Sequence, residues 1–296
     1  MEKIIECVPN FSEGRDLDKI EKIVDSFRGK EGVKLLDYSN DKSHNRCVVT
    51  VVGTPEGLKK SVLEAIEKAV ELIDLTKHKG QHPRMGAVDV IPFIPIKNTD
   101  IEEVDKLVKE IAKEASRKYS LPFFLYEKSA TAPYKINLAK IRKGQFENMN
   151  EKMKEKEWKP DYGSEVVHPT AGVTAIGARM PLVAYNIKLD TDNIDIANKI
   201  ARNIRHINGG FRYCKSIGVE LEDRNIVQVS MNLTDHTNTA IYRVFETVKM
   251  ECRRYGVNIL GSEIIGLVPM AALIDTAEYY LGLEDFKINQ VLETRF

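Results

Sequence analysis

The sequence has no surplus of either charge: Lys+Arg and Asp+Glu both total 44. Nucleic acid is therefore not expected as the main partner, because neutralising phosphates takes a cationic excess. No apolar run approaches the length of a membrane-spanning helix, so no membrane partner is expected either. The opening Met1-Glu2-Lys3-Ile4-Ile5-Glu6 lacks the apolar core of a signal peptide. Cys7, Cys47, Cys214 and Cys252 are scattered, with no Cys-x-x-Cys pair and no histidine at zinc spacing. That pattern implies four reduced thiols, a cytoplasmic location and no bound metal.

What is present is enough for two modest domains: 296 residues, 43% hydrophobic and 30% charged, the balance of a globular protein. Residues 4–8 read as a strand, and Asp16 can cap a helix whose stripe is Ile20, Ile23, Val24 and Phe27. Residues 33–37 and 46–52 read as two further strands, separated by the long polar loop 38–45. Thr54-Pro55 starts a second helix, and 87–96 forms a strand whose Pro92 and Pro95 suggest an edge or a strand end. Thr99-Asp100-Ile101-Glu102 matches a capping box before a third helix. Residues 132–161 are the least periodic and most charged part, and their run 151–157 reads as a solvated face.

A new unit begins after Arg179, giving subdomains 1–179 and 180–296. The order strand, helix, strand, strand, helix, strand runs through 4–96 and again through 182–268, the second time with a turn at 222–225. The fold class is therefore α+β, an α/β sandwich of two tandem ferredoxin-like (split βαβ) subdomains, each an antiparallel or mixed sheet with helices on one face. Two such sheets offer a cleft for a small ligand.

The richest chemistry lies in the connection Lys77-His78-Lys79-Gly80-Gln81-His82-Pro83-Arg84-Met85-Gly86. It holds more imidazoles and cations than a helix-to-strand link needs. Pro83 fixes its own φ and biases His82 towards an extended backbone. An exposed, solvated turn is one reading; a proton-transfer histidine in a cationic pocket for an anionic substrate is the other. Asp37 could orient His82 and raise its basicity, or simply cap its own loop. Arg84 and Lys79 are candidates for substrate carboxylates, arginine through a bidentate fork. His78 is either a second polar contact or a cation at a helix C-terminus. Gly163-Ser164-Glu165-Val166-Val167-His168-Pro169-Thr170-Ala171-Gly172 is a second glycine-bounded stretch, with neither a GxGxxG nor a P-loop.

Residues 6–15 (Glu-Cys-Val-Pro-Asn-Phe-Ser-Glu-Gly-Arg), 78–90 and 172–179 closely resemble the glutamate formiminotransferase family, as do Leu72-Ile73-Asp74 and Pro92-Phe93-Ile94-Pro95. The resemblance implies transfer of a formimino group from N-formimino-L-glutamate to N5 of tetrahydrofolate, in histidine breakdown. It implies two α/β subdomains with folate in the groove between them, and a homodimer. It places the catalytic histidine on His82 and the folate-binding stretch on 163–172, where the wording departs most from the family's. Tetrahydrofolate, mono- or polyglutamylated, would be a co-substrate, with no metal needed. Animal relatives carry a fused cyclodeaminase, so that activity is expected here on a separate chain. A formyl donor and a non-catalytic folate-binding module are the alternatives.

Overall fold

Residues 46–53 alternate between buried and half-buried positions, with Cys47, Val49 and Val51 inward, and this period of two makes a strand with one core face. The computed structural model describes residues 2–221 and 224–295, which fall into two compact units, Met1–Arg179 and Met180–Phe296.

In the first unit, strands β1 (Ile4–Cys7) and β2 (Asn10–Phe11) form one interrupted strand between β4 (Arg46–Gly53) and β5 (Val88–Lys97). Strand β3 (Val33–Asp41) pairs antiparallel with the far side of β4. The spatial order β5, β1/β2, β4, β3 is the split βαβ order. Strands β7 (Thr174–Ala178) and β6 (Phe123–Leu125) then extend the sheet in parallel beyond β5. Helices α1 (Leu17–Val24), α2 (Pro55–Leu72) and α3 (Ile101–Tyr119) are capped by Asp16, Thr54 and Asp100, which accept from Lys19, Gly57 and Glu103 amides at 3.2, 3.2 and 2.8 Å. The third cap lies one residue later than the Thr99 capping box suggests. Their apolar stripes bury Ile20, Leu58, Ile66, Val108 and Ile111 against Ile5, Val49, Phe93 and Phe123.

Two local features differ from the sequence reading. Strand β5 is central, despite Pro92 and Pro95. The neighbouring strand is itself broken at Val8-Pro9, where the Val8 amide donates to the Pro92 carbonyl at 3.1 Å and the Val49 amide to that of Pro9 at 3.0 Å. Pro95 lies past the last β5–β7 pair, Phe93 with Ala178, so its missing N–H costs that ladder nothing. The charged 132–161 region also folds back as α4 (Leu138–Arg142) and α5 (Gln145–Lys152). It covers Phe124, Val173 and Ala175 with Ile141, Met149 and Met153, so this end of the sheet has apolar cover on both faces.

The second unit has strand order β11 (Ile259–Ile265), β8 (Val183–Leu189), β10 (Ile226–Leu233), β9 (Cys214–Leu221), all antiparallel. Helices α6 (Ile194–Ile204) and α7 (Ile241–Arg254) bury Ala197, Ile200, Val244 and Val248 against Tyr185, Ile187 and Val229, and α8 (Met270–Leu281) follows. Of the turn expected at 222–225, Glu222 and Asp223 lie outside the described residues. All four cysteines are buried and free.

One close approach fixes the base of the histidine-rich connection. Gly86 bridges Gly172, and a Cβ on Gly86 would stand 2.1 Å from the Val173 carbonyl oxygen. Gly86→Ala should therefore cost roughly 2 kcal/mol or more in denaturant unfolding. Gly261→Ala, where a Cβ meets nothing within 4 Å, should change stability by less than about 0.5 kcal/mol. Equal effects from the two would contradict this packing.

Candidate functional site

The connection after α2 is pressed onto the turn of the β3–β4 hairpin. A Cβ on Gly80 would lie 2.2 Å from the His44 carbonyl oxygen, and the Gln81 amide donates to the Ser43 carbonyl at 3.1 Å. Asn45, buried at φ +50°, ties the two segments together. Its Oδ1 accepts from the Gly14 amide at 2.8 Å, and its Nδ2 donates to the Lys79 carbonyl at 3.1 Å. Its own carbonyl accepts from His78 Nε2 at 2.9 Å. A tight cleft results, lined by Ser12, His44, Asn45, Arg46, His78, His82, Arg84 and Asp89.

His82 is half-buried on this pocket. Its Nε2 lies 2.9 Å from Nη1 of Arg46. A guanidinium has no lone pair, so Arg46 donates and His82 accepts, which leaves His82 unprotonated at Nε2. Burial, then the charges of Arg46 and Arg142, push its pKa down to about 3. The His44 ring stands edge-on at 6.2 Å between centroids, itself held by Asp41 at 2.7 Å. Arg46 also donates through Nη2 to the Asn10 side-chain oxygen, while its Nε is buried with no partner among the described residues.

Arg84 is buried, and its fork is already filled. Nη1 and Nη2 donate to Glu147 at 2.8 and 2.7 Å, Nη1 reaches Gln145 at 3.2 Å, and Nε donates to His78 Nδ1 at 3.1 Å. His78 thus donates at one nitrogen and accepts at the other, so it is neutral, and burial lowers its pKa. Among the described residues it is an internal link, not a helix-end cation. Lys79 is exposed; its backbone, not its ammonium, is used in the packing. Asp89 is buried, with the Met85 amide at 2.9 Å and Arg142 Nη2 at 2.6 Å.

Asp37 is placed differently from the sequence reading. The hairpin does not stop there: β3 runs on to Asp41, which pairs with Arg46, whereas Asp37 pairs with Thr50 after a register shift. That sets it four residues back from the Arg46 position, roughly 13 Å along the strand, and on the exposed side. Among the described residues, the side chain hydrogen-bonded to His82 is Arg46, a cation instead of a carboxylate.

The 163–172 stretch divides in two. Gly163, Ser164, Glu165 and Val166 are exposed, with Glu165 paired to Lys159 at 2.5 Å and Ser164 Oγ accepting from the Val166 amide at 3.0 Å. Val167, Ala171 and Gly172 are anchors. His168 and Gly172 exchange backbone hydrogen bonds of 3.1 and 3.0 Å around Pro169 and Thr170, and His168 Nδ1 accepts from the Ala171 amide at 3.0 Å. The Ala171 carbonyl takes the Ala87 amide at 2.8 Å, which seats the stretch against the base of the histidine connection.

Sequence reasoning missed Arg46, Arg142, Asn10 and Asp89. Two of the four carried a sequence signal. Arg46 is in phase with Val48 and Thr50, on the face of β4 opposite the core, and Asp89 is a charge inside an apolar strand, which demands a partner. Among the described residues, no group of three or more His, Cys, Asp or Glu side chains is placed to hold a metal ion.

A family model described as "Formiminotransferase domain, N-terminal subdomain" matches residues 4–179, and "Formiminotransferase domain" matches 184–294. The chain belongs to the formiminotransferase family. Glutamate formimidoyltransferase from Streptococcus pyogenes is 56% identical over 99% of this chain and 98% of its own length. The Thermoplasma acidophilum protein of the same name is 45% identical, over 99% and 97%. The formimidoyltransferase-cyclodeaminase of Dictyostelium discoideum is 41% identical over all of this chain but 56% of its own length, so this chain spans about half of that relative.

The low pKa of His82 has a sign. An unfolded histidine titrates near 6.5, so between there and about 3 the unfolded chain binds a proton that the folded site refuses. Its stabilising contribution is full above pH 6.5 and is lost as pH falls towards about 3. In nitrogen-detected NMR the His82 ring should still be neutral at pH 5, and Arg46→Gln should move its midpoint upwards. A midpoint near 6.5 in the unaltered chain would contradict the site as described.

Proposed function

We propose that this chain is a glutamate formimidoyltransferase, moving the formimino group from N-formimino-L-glutamate to N5 of tetrahydrofolate. The observation that carries the reading is a half-buried imidazole kept unprotonated by the guanidinium of Arg46 beside it and by the charge of Arg142. An exchange of one amine for another at a single carbon needs a group that takes a proton and then returns it.

His82 takes the proton that N5 sheds on bonding to the formimino carbon, which is electrophilic when its imino nitrogen is protonated. The same imidazole, now cationic, gives that proton to the glutamate nitrogen. The carbon–nitrogen bond to glutamate breaks, glutamate leaves as an amine, and the imino double bond re-forms on the folate. Atoms and charge balance with His82 back in its starting state. Neighbouring guanidinium charges lower the basicity of the imidazole, so the return of the proton is favoured. No resident metal enters these steps.

Tetrahydrofolate is the co-substrate in this reading, with Gly163–Val166, His168, Pro169 and Thr170 as its contacts and Val167, Ala171 and Gly172 as anchors. Exposed Lys79 suits the outer carboxylates of a folate tail, mono- or polyglutamylated. A cytoplasmic homodimer in histidine degradation, with a separate cyclodeaminase consuming the product, completes the proposal.

The test is an assay with tetrahydrofolate and either formiminoglutamate or formylglutamate. Transfer from formiminoglutamate is expected. Transfer from the formyl donor alone would overturn the donor, and folate binding without transfer from either would make the chain a binding module.

A further inference from the structure

The charges around the His82 pocket do not close. Arg84 is spent on Glu147 and Arg142 on Asp89. Arg46 makes no direct ion pair among the described residues: its acceptors are the neutral His82 ring and the neutral Asn10 amide, and its buried Nε has none. The carboxylate whose charge reaches it is Asp89, already paired with Arg142, so the desolvation of Arg46 is only partly offset. A carboxylate is the group whose geometry matches its fork. The pocket is thus built for an anion that arrives from outside, and the arginine that would receive it already touches the imidazole.

That contact also decides which carboxylate. In an N-substituted α-amino acid, the nitrogen and the α-carboxyl carbon share one carbon and lie about 2.5 Å apart. The γ-carboxyl carbon of a glutamate lies roughly twice as far from that nitrogen when the side chain is extended. Arg46 Nη1 and His82 Nε2 are 2.9 Å apart, a spacing of the first kind. We infer that Arg46 seats the α-carboxylate of the donor and thereby sets the donor's nitrogen beside His82; this rests on the functional reading above and names its donor subsite. The same event frees the base. Nη1 donates into the lone pair that has to accept the proton, and a carboxylate, the stronger acceptor, would draw that N–H away.

Arg46 is therefore a binding and positioning residue, and substrates should be judged by the group on their α-carbon. The experiment compares three donors: formiminoglutamate, its α-amide and its γ-amide, each with tetrahydrofolate, in the unaltered chain and in Arg46→Lys and Arg46→Gln. In the unaltered chain the α-amide should lose roughly 10- to 100-fold in kcat/KM relative to the γ-amide. In Arg46→Gln that discrimination should fall to within about threefold, because the α-carboxylate has lost its partner, with Arg46→Lys between. A variant that is merely misfolded lowers all three donors alike and leaves their ratios intact. Discrimination against the γ-amide instead, or an unchanged α-amide ratio in Arg46→Gln, would overturn the assignment. If the unaltered chain transfers from none of the donors, the functional reading fails. Calorimetric binding of the same three compounds then tests the subsite directly, and equal affinity for formiminoglutamate and its α-amide would overturn it.

Discussion

The carbonyl oxygen of His44 leaves no room for a side chain at residue 80: a Cβ there would stand 2.2 Å away. That steric limit brings the connection after α2 onto the β3–β4 turn, and the site depends on the approach. It sets Nε2 of His82 against the first residue of β4 and lets the Asn45 backbone hold His78, which in turn holds Arg84. A few tenths of an ångström more would lengthen each of these hydrogen bonds. A second close approach, Gly86 against the Val173 carbonyl, anchors the other end of the connection and carries the 163–172 stretch with it.

Within that frame the electrostatics are unequal. Removing one partner of a buried ion pair typically costs about 3–5 kcal/mol, so drawing Arg142 off the buried Asp89 would be expensive for any ligand. Arg84 is likewise committed, although its partner Glu147 is more than half exposed. Arg46 has no direct carboxylate partner to abandon among the described residues, so an incoming anion would meet the least resistance there. Its charge lies where it does most to the neighbouring imidazole, whose basicity it holds down, so an anion that neutralised Arg46 would raise that basicity towards neutral pH.

Much of this was legible from residue patterns. The repeated strand–helix order gave the split βαβ arrangement because alternation in β4 and the stripes of α2 and α7 are strong local signals. The His82 connection was visible because its composition exceeds what a turn needs. Arg46 was not, because its meaning depends on strand phase and on a contact across 36 residues of chain. Arg142 was hidden in the least periodic region, where α4 is only five residues long and is held by tertiary packing of Ile141. Asp37 misled because a hairpin that continues four residues further with a bulge cannot be told from one that stops. Pro92 misled because strand rules assume an intact neighbour, and here the neighbour is broken at the same level.

The central claim is that His82 carries the proton between the two amines, and its most direct test is the steady-state and binding behaviour of His82→Ala with formiminoglutamate and tetrahydrofolate. General acid–base catalysis is worth roughly 10²–10⁴-fold, so kcat should fall by about that factor while folate affinity moves by less than about tenfold. A variant that kept its kcat and lost only affinity would show His82 to be a contact and not the proton carrier.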